Sequence, residues 1–545
     1  MAIELFSLPT ELIWRILSIL APRDICRCAI TCRAFWNMIQ NSVRIQYQLE
    51  LYAQGFTKTT TMDSIGVSRE MSSLKRSTSL WRSGLHLNTV LEERLMTSTF
   101  PEHPSLRWLR FGMKRGLLWM LVQGGLFIRD YNTNTNLSRT WAIHDLSSQH
   151  RPNFLTVDPL QDLVVIVSLP GIVTVTDTEQ DYHAFWVECR SASSQHPHPD
   201  SACASLECKH TFDICGVYHV DLIGEPAIYG DYIFVFYYIE NKSYKRASAT
   251  FMQAIDWRKG YVKSHLFPDY YQQGSQHQFY VVDQRTIVVI GSSFITVHTL
   301  QDIDGSLRPR LTYLLPKCHH SSFPFMFVHA SPSFSGTAPH ADLMPGYVPS
   351  LESQIVVLEL ISCPRTLSII LVIDTVIFSG TALQSETHVK IPWSDWGPQY
   401  TCCFPHDPCY QISVFGSKMA YTLPRDHSPE PGQRLEKLSA AGHFYIHIWD
   451  FNKRVIARSG NFYNPDSPDP FIRKPGRVVQ SCFDEEIISN HPYTATVCRA
   501  PFLTRGLRKL FLEQDRLILT SVRPGTVDIQ VLSPVQMDVG SDFTH

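Results

Sequence analysis

Residues 7–40 read SLPTELIWRILSILAPRDICRCAITCRAFWNMIQ, and their apolar positions keep the period of a helix. Leu12, Ile13, Ile16, Leu17 and Leu20 recur at helical spacing while Glu11 and Arg15 fall off that stripe, which predicts an amphipathic helix. Pro9 suits a first helical position, where its missing N–H is not needed, and Glu11 adds negative charge near the positive end of the dipole. Pro22 breaks the pattern. Arg23 and Asp24 open a second run whose Ile25, Cys28, Ala29 and Cys32 share a face, and Phe35, Trp36 and Ile39 mark a third. A unit this small is near the ~40-residue limit of independent stability, and each large apolar side chain left in water forgoes roughly 1.5–3 kcal/mol. It is therefore expected to lean on a partner.

These residues resemble an F-box. The likeness is carried by Leu8-Pro9, the acid at Glu11, the spacing of Ile16-Leu17 and Leu20, Pro22, Ile25, the Cys32-Arg33 pair and Trp36. The continuation NSVRIQYQLELYAQG (41–55), and SREMSSLKRSTSLWRSG (68–84) after it, resemble the F-box proteins abundant in mushroom-forming fungi; the commoner animal pattern instead places a Trp after the third helix. The resemblance implies a three-helix, all-α unit over residues 1–50 that binds a small Skp-type adaptor, and through it a cullin and RING ubiquitin ligase. It marks Leu8, Pro9, Leu12, Ile16, Leu20, Ile25, Cys32 and Trp36 as the adaptor contacts. It implies a receptor that binds a target protein and needs neither a catalytic residue nor a cofactor. Two alternatives are an F-box scaffold acting without a cullin and a propeller enzyme whose active site only the fold would assemble.

Residues 51–104 read as a polar linker with short helices, because TKTTTMDSIGVSREMSSLKRSTS (57–79) is rich in Ser and Thr and poor in large apolar residues. Beyond residue 105 the pattern turns extended. LLWMLV at Leu117, LVVIVS at Leu163, YIFVFYYI at Tyr232, TIVVIGSSFITV at Thr286, QIVVLEL at Gln354, YIHIWD at Tyr445 and RLILTSV at Arg516 are β-branched and aromatic runs bounded by turn residues. Asp162, Asp231, Asp283 and Asp515 each precede such a run, which suggests a recurring turn before an inner strand. Their spacing is irregular and longer than the ~40–45 residues of an ordinary WD-repeat blade, in keeping with insertions such as SSQHPHPDSACAS at Ser193 and RDHSPEPGQRLEK at Arg425. HFYIHIWDFNKRVIARS (443–459) resembles the end of a WD-repeat blade, a strand closing at Trp449-Asp450 and turning at Asn452-Lys453; IDWRKG at Ile255 and IRDYNT at Ile128 are blurred versions. The fold class is thus a small all-α F-box followed by a large all-β domain over 105–545. A degenerate β-propeller of six to eight blades is favoured over a pair of sandwiches, since closure removes exposed strand edges.

Composition fits that division. The 48 Lys plus Arg against 50 Asp plus Glu give a net charge of -2, no footprint for nucleic acid. Of the 545 residues 44% are hydrophobic, enough for a substantial core. The apolar start lacks a basic leader and carries Glu4, Glu11 and Arg15, against a signal peptide. Leu367 to Gly380 contains Asp374 and falls short of the ~20 residues a spanning helix needs, so two buried strands and no membrane association are expected there. The 14 cysteines are too sparse for a disulfide scaffold, which points to the cytoplasm or nucleus. Cys203, Cys208, His210 and Cys215, and separately Cys402, Cys403, His406 and Cys409, lack the paired spacing of a zinc site, so no metal is expected; Cys26, Cys28 and Cys32 read as helix packing. No P-loop, nucleophile elbow, HExxH helix or dinucleotide fingerprint occurs.

Overall fold

Four helices open the chain: α1 (Thr10–Ile19), α2 (Pro22–Thr31), α3 (Arg33–Asn41) and α4 (Val43–Gln54). A fifth, α5 (Ser64–Arg82), follows. These elements are seen in a computed structural model that describes residues 8–535 except 60–63, 83–84, 97–109, 123–124, 132–137, 143–152, 195, 243–245, 268–276, 301–306, 318–324, 333–346, 362–367, 380–386, 425–441, 460–470, 474–476, 479–482, 484–486, 505 and 524. The insertion expected at Arg425 lies outside the described residues.

The rest is a ring of seven sheets, antiparallel except where Leu307–Leu314 pairs in parallel with Val389–Ile391, each with one inner strand lining the axis. Those seven inner strands are Arg110–Lys114, Phe154–Asp158, Ala227–Tyr229, Gln278–Val281, Phe325–Ala330, Ile412–Phe415 and Leu507–Leu512. Blade 2 shows the logic. Its second strand, Leu163–Ser168, is buried at all six positions because it is covered on both faces, by the blades before and after it, and its unbroken β-branched run suits that place. Blade 7 is composite: Leu507–Leu512, Leu517–Arg523 and Thr526–Pro534 come from the far end of the chain, and Leu87–Met96 completes it, pairing from Leu87↔Pro534 to Met96↔Thr526. One strand from near the start thus locks the ring shut and leaves no open edge at the joint.

This closure corrects the domain boundaries. The β body begins at Leu87, inside the stretch read as linker, and α5 is a 19-residue helix whose Val67, Leu74 and Trp81 are buried. Polarity misled because only one face of α5 is apolar. Leu367 to Gly380 yields one strand, Ile369–Asp374, and a 3-10 turn, Thr375–Phe378, in place of two strands; the Asp374 carboxylate accepts from the Val376 amide and caps that turn. Asp162, Asp231, Asp283 and Asp515 sit between the first and second strands of blades 2, 3, 4 and 7, so the runs they precede are second strands. Asp283 shows why the residue recurs: its carboxylate accepts the Arg285 and Thr286 amides, each at 2.8 Å, and closes the hairpin. Ile128, Ile255 and Trp449-Asp450 all lie in third strands, of blades 1, 3 and 6. In blade 6 the chain does not turn directly into the fourth strand after Asp450; it enters a helix, Lys453–Ser459, and returns at Tyr493–Val497.

Candidate functional site

The first three helices and the start of α4 share a core of their own. Ile13, Leu17, Ile25, Ile39 and Ile45 are buried together, with Leu8, Trp14, Leu20, Cys28, Phe35 and Leu49 packed around them. The Trp14 indole donates to the Met38 carbonyl at 3.1 Å and the Gln48 amide to the Leu20 carbonyl at 3.1 Å, tying α1 to α3 and α4. Helix α1 begins at Thr10, one residue later than expected, with the Pro9 carbonyl accepting the Leu12 and Ile13 amides.

What this core leaves outside is apolar. Leu12 is 46% exposed, Ile16 39%, Ile19 79%, Ile30 82% and Trp36 50%, and Pro9 is exposed beside them. Leu12, Ile16 and Ile19 fall at i, i+4 and i+7, one stripe of α1. Of the residues singled out in the sequence, Pro9, Leu12, Ile16 and Trp36 are on the surface, and Leu8, Leu20 and Cys32 are half-buried. Ile25 is wholly buried and serves the core instead of the surface, because its face of α2 turns toward Ile13 and Ile39. Ile19 and Ile30 were missed, although the spacing of Ile19 from Leu12 and Ile16 held the signal. Cys26, expected to pack, is exposed.

Helices α4 and α5 behave in the opposite way. Tyr47, Leu51, Phe56, Val67, Leu74, Trp81 and Leu85 join one cluster with blades 5, 6 and 7. The C-terminus of α4 is capped by Gly55 at φ 78°, where a Cβ would sit 2.8 Å from that of Ser353, so a close approach as well as a left-handed backbone asks for glycine. The Asn452 side-chain amide donates to the Ala53 carbonyl at 3.1 Å, and its oxygen accepts the Arg454 amide at 3.0 Å. The Arg454 guanidinium donates to the Tyr52 carbonyl at 3.0 Å and lies 3.6 Å from the Tyr52 ring centre. Phe56–Lys58 pairs with Tyr347–Pro349, and the Trp81 indole donates to the Gln514 carbonyl at 2.9 Å. The YQLELYAQG stretch and the WDFNKR stretch, read separately in the sequence, are the two halves of this joint.

The ring axis holds a channel of about 510 Å³. Its inner strands run in one direction: Arg110 and Phe154, the first residues of two neighbours, meet with the guanidinium 3.8 Å from the ring centre, while Lys114 and Asp158, their last residues, pair at 3.1 Å. The α4–α5 joint touches the ring where inner strands end, at Gly416, Gln514 and Asn452. The face where inner strands begin, marked by Arg110 and by Glu225 just ahead of Ala227–Tyr229, is therefore opposite the helices. Burial raises the Glu225 carboxyl, with Lys509 and Arg110 drawing it back down, and burial lowers Arg110. Behind the lining, Glu359 accepts from His329 at 2.8 Å and from His406 at 2.9 Å, and the other His406 nitrogen meets the Tyr421 hydroxyl at 2.8 Å. Burial pushes Glu359 up, but those two histidines outweigh it and hold its carboxyl at about 2. His406 is thus engaged away from Cys409, and Cys402 donates to the His491 carbonyl. Among the described residues no three His, Cys, Asp or Glu side chains are placed to hold a metal, and no helix is long and apolar enough to cross a membrane.

A helical box fixed to a closed ring defines a two-part protein: one apolar surface on the helices, one channel and its two faces on the ring. The helical part is an F-box-like domain, since residues 5–45 match that family, and the ring is a seven-bladed β-propeller. No curated protein matches the sequence. Solved structures similar to the chain include the WD40 domain of SCAP from fission yeast, with 6% identity over 78% of this chain and 82% of that one at a TM-score of 0.32. The Neurospora crassa Pan2 WD40 domain is similar at 11% identity over 84% of this chain and 98% of that one, TM-score 0.33.

Proposed function

We propose that this chain is the substrate-recognition subunit of an SCF-type cullin-RING ubiquitin ligase, docking a Skp-type adaptor on the F-box-like helices and a target protein on the propeller. The observation that carries the reading is the bare stripe of Pro9, Leu12, Ile16, Ile19 and Trp36. Burying each large apolar member contributes roughly 1.5–3 kcal/mol, so the stripe holds ample driving force for a partner, and the propeller does not cover it. The rigid joint at Asn452 and Arg454 supports the same reading, because a receptor that presents a target at a fixed distance from a ligase needs its two parts held in one orientation. Such a subunit performs no chemistry itself and works in the cytoplasm or nucleus, where the ligase operates.

The test is co-expression of the full chain with a Skp-type adaptor. The wild type should co-purify with it and, when a cullin is added, recover the cullin as well. Leu12→Asp with Ile16→Asp should lose both while the propeller keeps its melting transition. Adaptor capture that survives this double substitution would contradict the reading, and capture of adaptor without cullin would point to the scaffold.

A further inference from the structure

Two opposite charges line the end of the channel where the inner strands begin. Glu225 leads into the inner strand of blade 3 and Lys509 lies in that of blade 7, three blades away, the widest separation that a ring of seven allows. Burial raises the Glu225 carboxyl and Lys509 draws it back down, yet among the described residues no ion pair joins the two. Their surroundings keep the signs in balance. Arg110 stands outside the lining, 3.8 Å from the Phe154 ring centre, and is drawn to Asp221 as well as to Glu225. Asp221, also outside the lining, accepts from the Leu222 amide and the Tyr238 hydroxyl. Two cations thus stand against two carboxylates. Elsewhere on the wall the charged groups are engaged: His329 meets Glu359 at 2.8 Å, Lys114 pairs with Asp158 at 3.1 Å, and Glu513 accepts the Gly116 amide beside Arg516 and Arg115. The arc from blade 3 to blade 7 is aromatic. Phe279, Phe327 and Lys509 are the second, third and third residues of their inner strands and so stand at one level; Phe327 is 47% exposed, and Phe236 stacks on Phe279 with ring centres 4.1 Å apart.

We propose that this end of the channel binds a small aromatic zwitterion of the α-amino acid class, its ammonium at Glu225, its carboxylate at Lys509 and its ring against Phe279 and Phe327. The volume falls within the roughly 300–1,000 Å³ usual for small-molecule sites. A charge held in a wall without a partner keeps its desolvation cost, and the frame sets these two too far apart to pair with each other. An anion gains Lys509 and is opposed by Glu225, and a cation meets the reverse. A molecule carrying both signs gains two charge-assisted hydrogen bonds. Because Lys509 still acts on Glu225, the gap is short, and a zwitterion with both charges on one carbon suits it better than one with a long spacer. This site is independent of whether the helices dock an adaptor.

The experiment is calorimetric titration of the full chain with three probes: L-phenylalanine, 3-phenylpropionate, which lacks the ammonium, and phenethylamine, which lacks the carboxylate. L-Phenylalanine should bind, and each analogue should bind roughly tenfold or more weakly, the usual worth of a charge-assisted hydrogen bond. Lys509→Gln should erase the advantage of L-phenylalanine over phenethylamine. Glu225→Gln should erase its advantage over 3-phenylpropionate and tighten 3-phenylpropionate itself, a gain that misfolding cannot mimic. Absence of L-phenylalanine binding, an analogue that binds the wild type as tightly, or a ranking of the three probes that either substitution leaves unchanged would each overturn the proposal.

Discussion

Helices α1–α3 and helices α4–α5 are built from similar amounts of chain and treat their apolar residues in opposite ways. The first three bury four residues, closed over by Ile45 from the start of α4, and leave Leu12, Ile16, Ile19, Ile30 and Trp36 bare. The next two sink Tyr47, Leu51, Val67, Leu74 and Trp81 into blades 5 to 7. The difference separates two jobs, since a side chain already buried in its own protein has no free energy left to offer a partner. The bare helices are available for docking, and the sunk helices fix where the docked partner stands relative to the ring.

The largest expected effect falls on the sunk side. Trp81→Ala empties a buried indole and removes one of the two donors to the Gln514 carbonyl, the Ser77 hydroxyl being the other, and should cost about 3–5 kcal/mol in a denaturant titration of the full chain. A cost under about 1 kcal/mol, typical of surface positions, would dissolve the contrast between the helix pairs.

Acid should separate box from ring next. Burial lowers His265, His277 and His491 to about 4 and His298 to about 3, all in the ring, whereas residues 8–54 contain no histidine. Below about 6.5 the unfolded chain takes up protons that these buried rings refuse, so ring stability should decline as pH falls from about 6.5 toward 4. Glu513, raised by burial to about 7, acts in the opposite sense: it is protonated in the fold and ionised when unfolded between about 4.5 and 7, so its own contribution falls as pH rises. Glu513 and Glu225, the acids that burial raises, set against four histidines leave the net slope upward with pH. Melting curves at pH 4.5 and 7 check this, and Glu513→Gln should steepen the slope.

A smaller effect is expected at the joint. Asn452→Ala removes the bond to Ala53 and the cap on Lys453–Ser459, and should cost about 1–3 kcal/mol. The smallest belongs to the bare stripe: Leu12→Asp should shift stability by no more than about 0.5 kcal/mol while changing what the surface binds.

The legible parts of this molecule were those with local signals. The period of Leu12, Ile13, Ile16 and Leu17 announced α1, and unbroken runs such as LVVIVS announced the strands that neighbouring blades cover on both faces. Ring closure by Leu87–Met96 left no such mark, because its partner lies more than four hundred residues away and most of its described side chains face water. Helix α5 was hidden for a related reason: Ser68, Ser72, Ser73 and Ser79, with Arg69, Lys75 and Arg76, occupy its outer face, and Val67, Leu74, Thr78 and Trp81 carry its burial. Ile25 matched the family pattern yet turned inward, since a pattern records which residue is needed at a position and is silent on whether the need is packing or contact. The channel could not be read at all. Lys114, Glu225, His329 and Lys509 come from four blades, and only the closed ring brings them to one axis.

The most direct test of the account is amide hydrogen exchange on the full chain with and without a Skp-type adaptor. Backbone amides of Thr10–Ile19, Pro22–Thr31 and Arg33–Asn41 should gain protection in the complex, while Val43–Gln54 and Ser64–Arg82, already packed on the ring, should be slow in both states and unchanged. Adaptor-dependent protection confined to the ring, or α4 and α5 exchanging as fast as free helices before the adaptor is added, would contradict it.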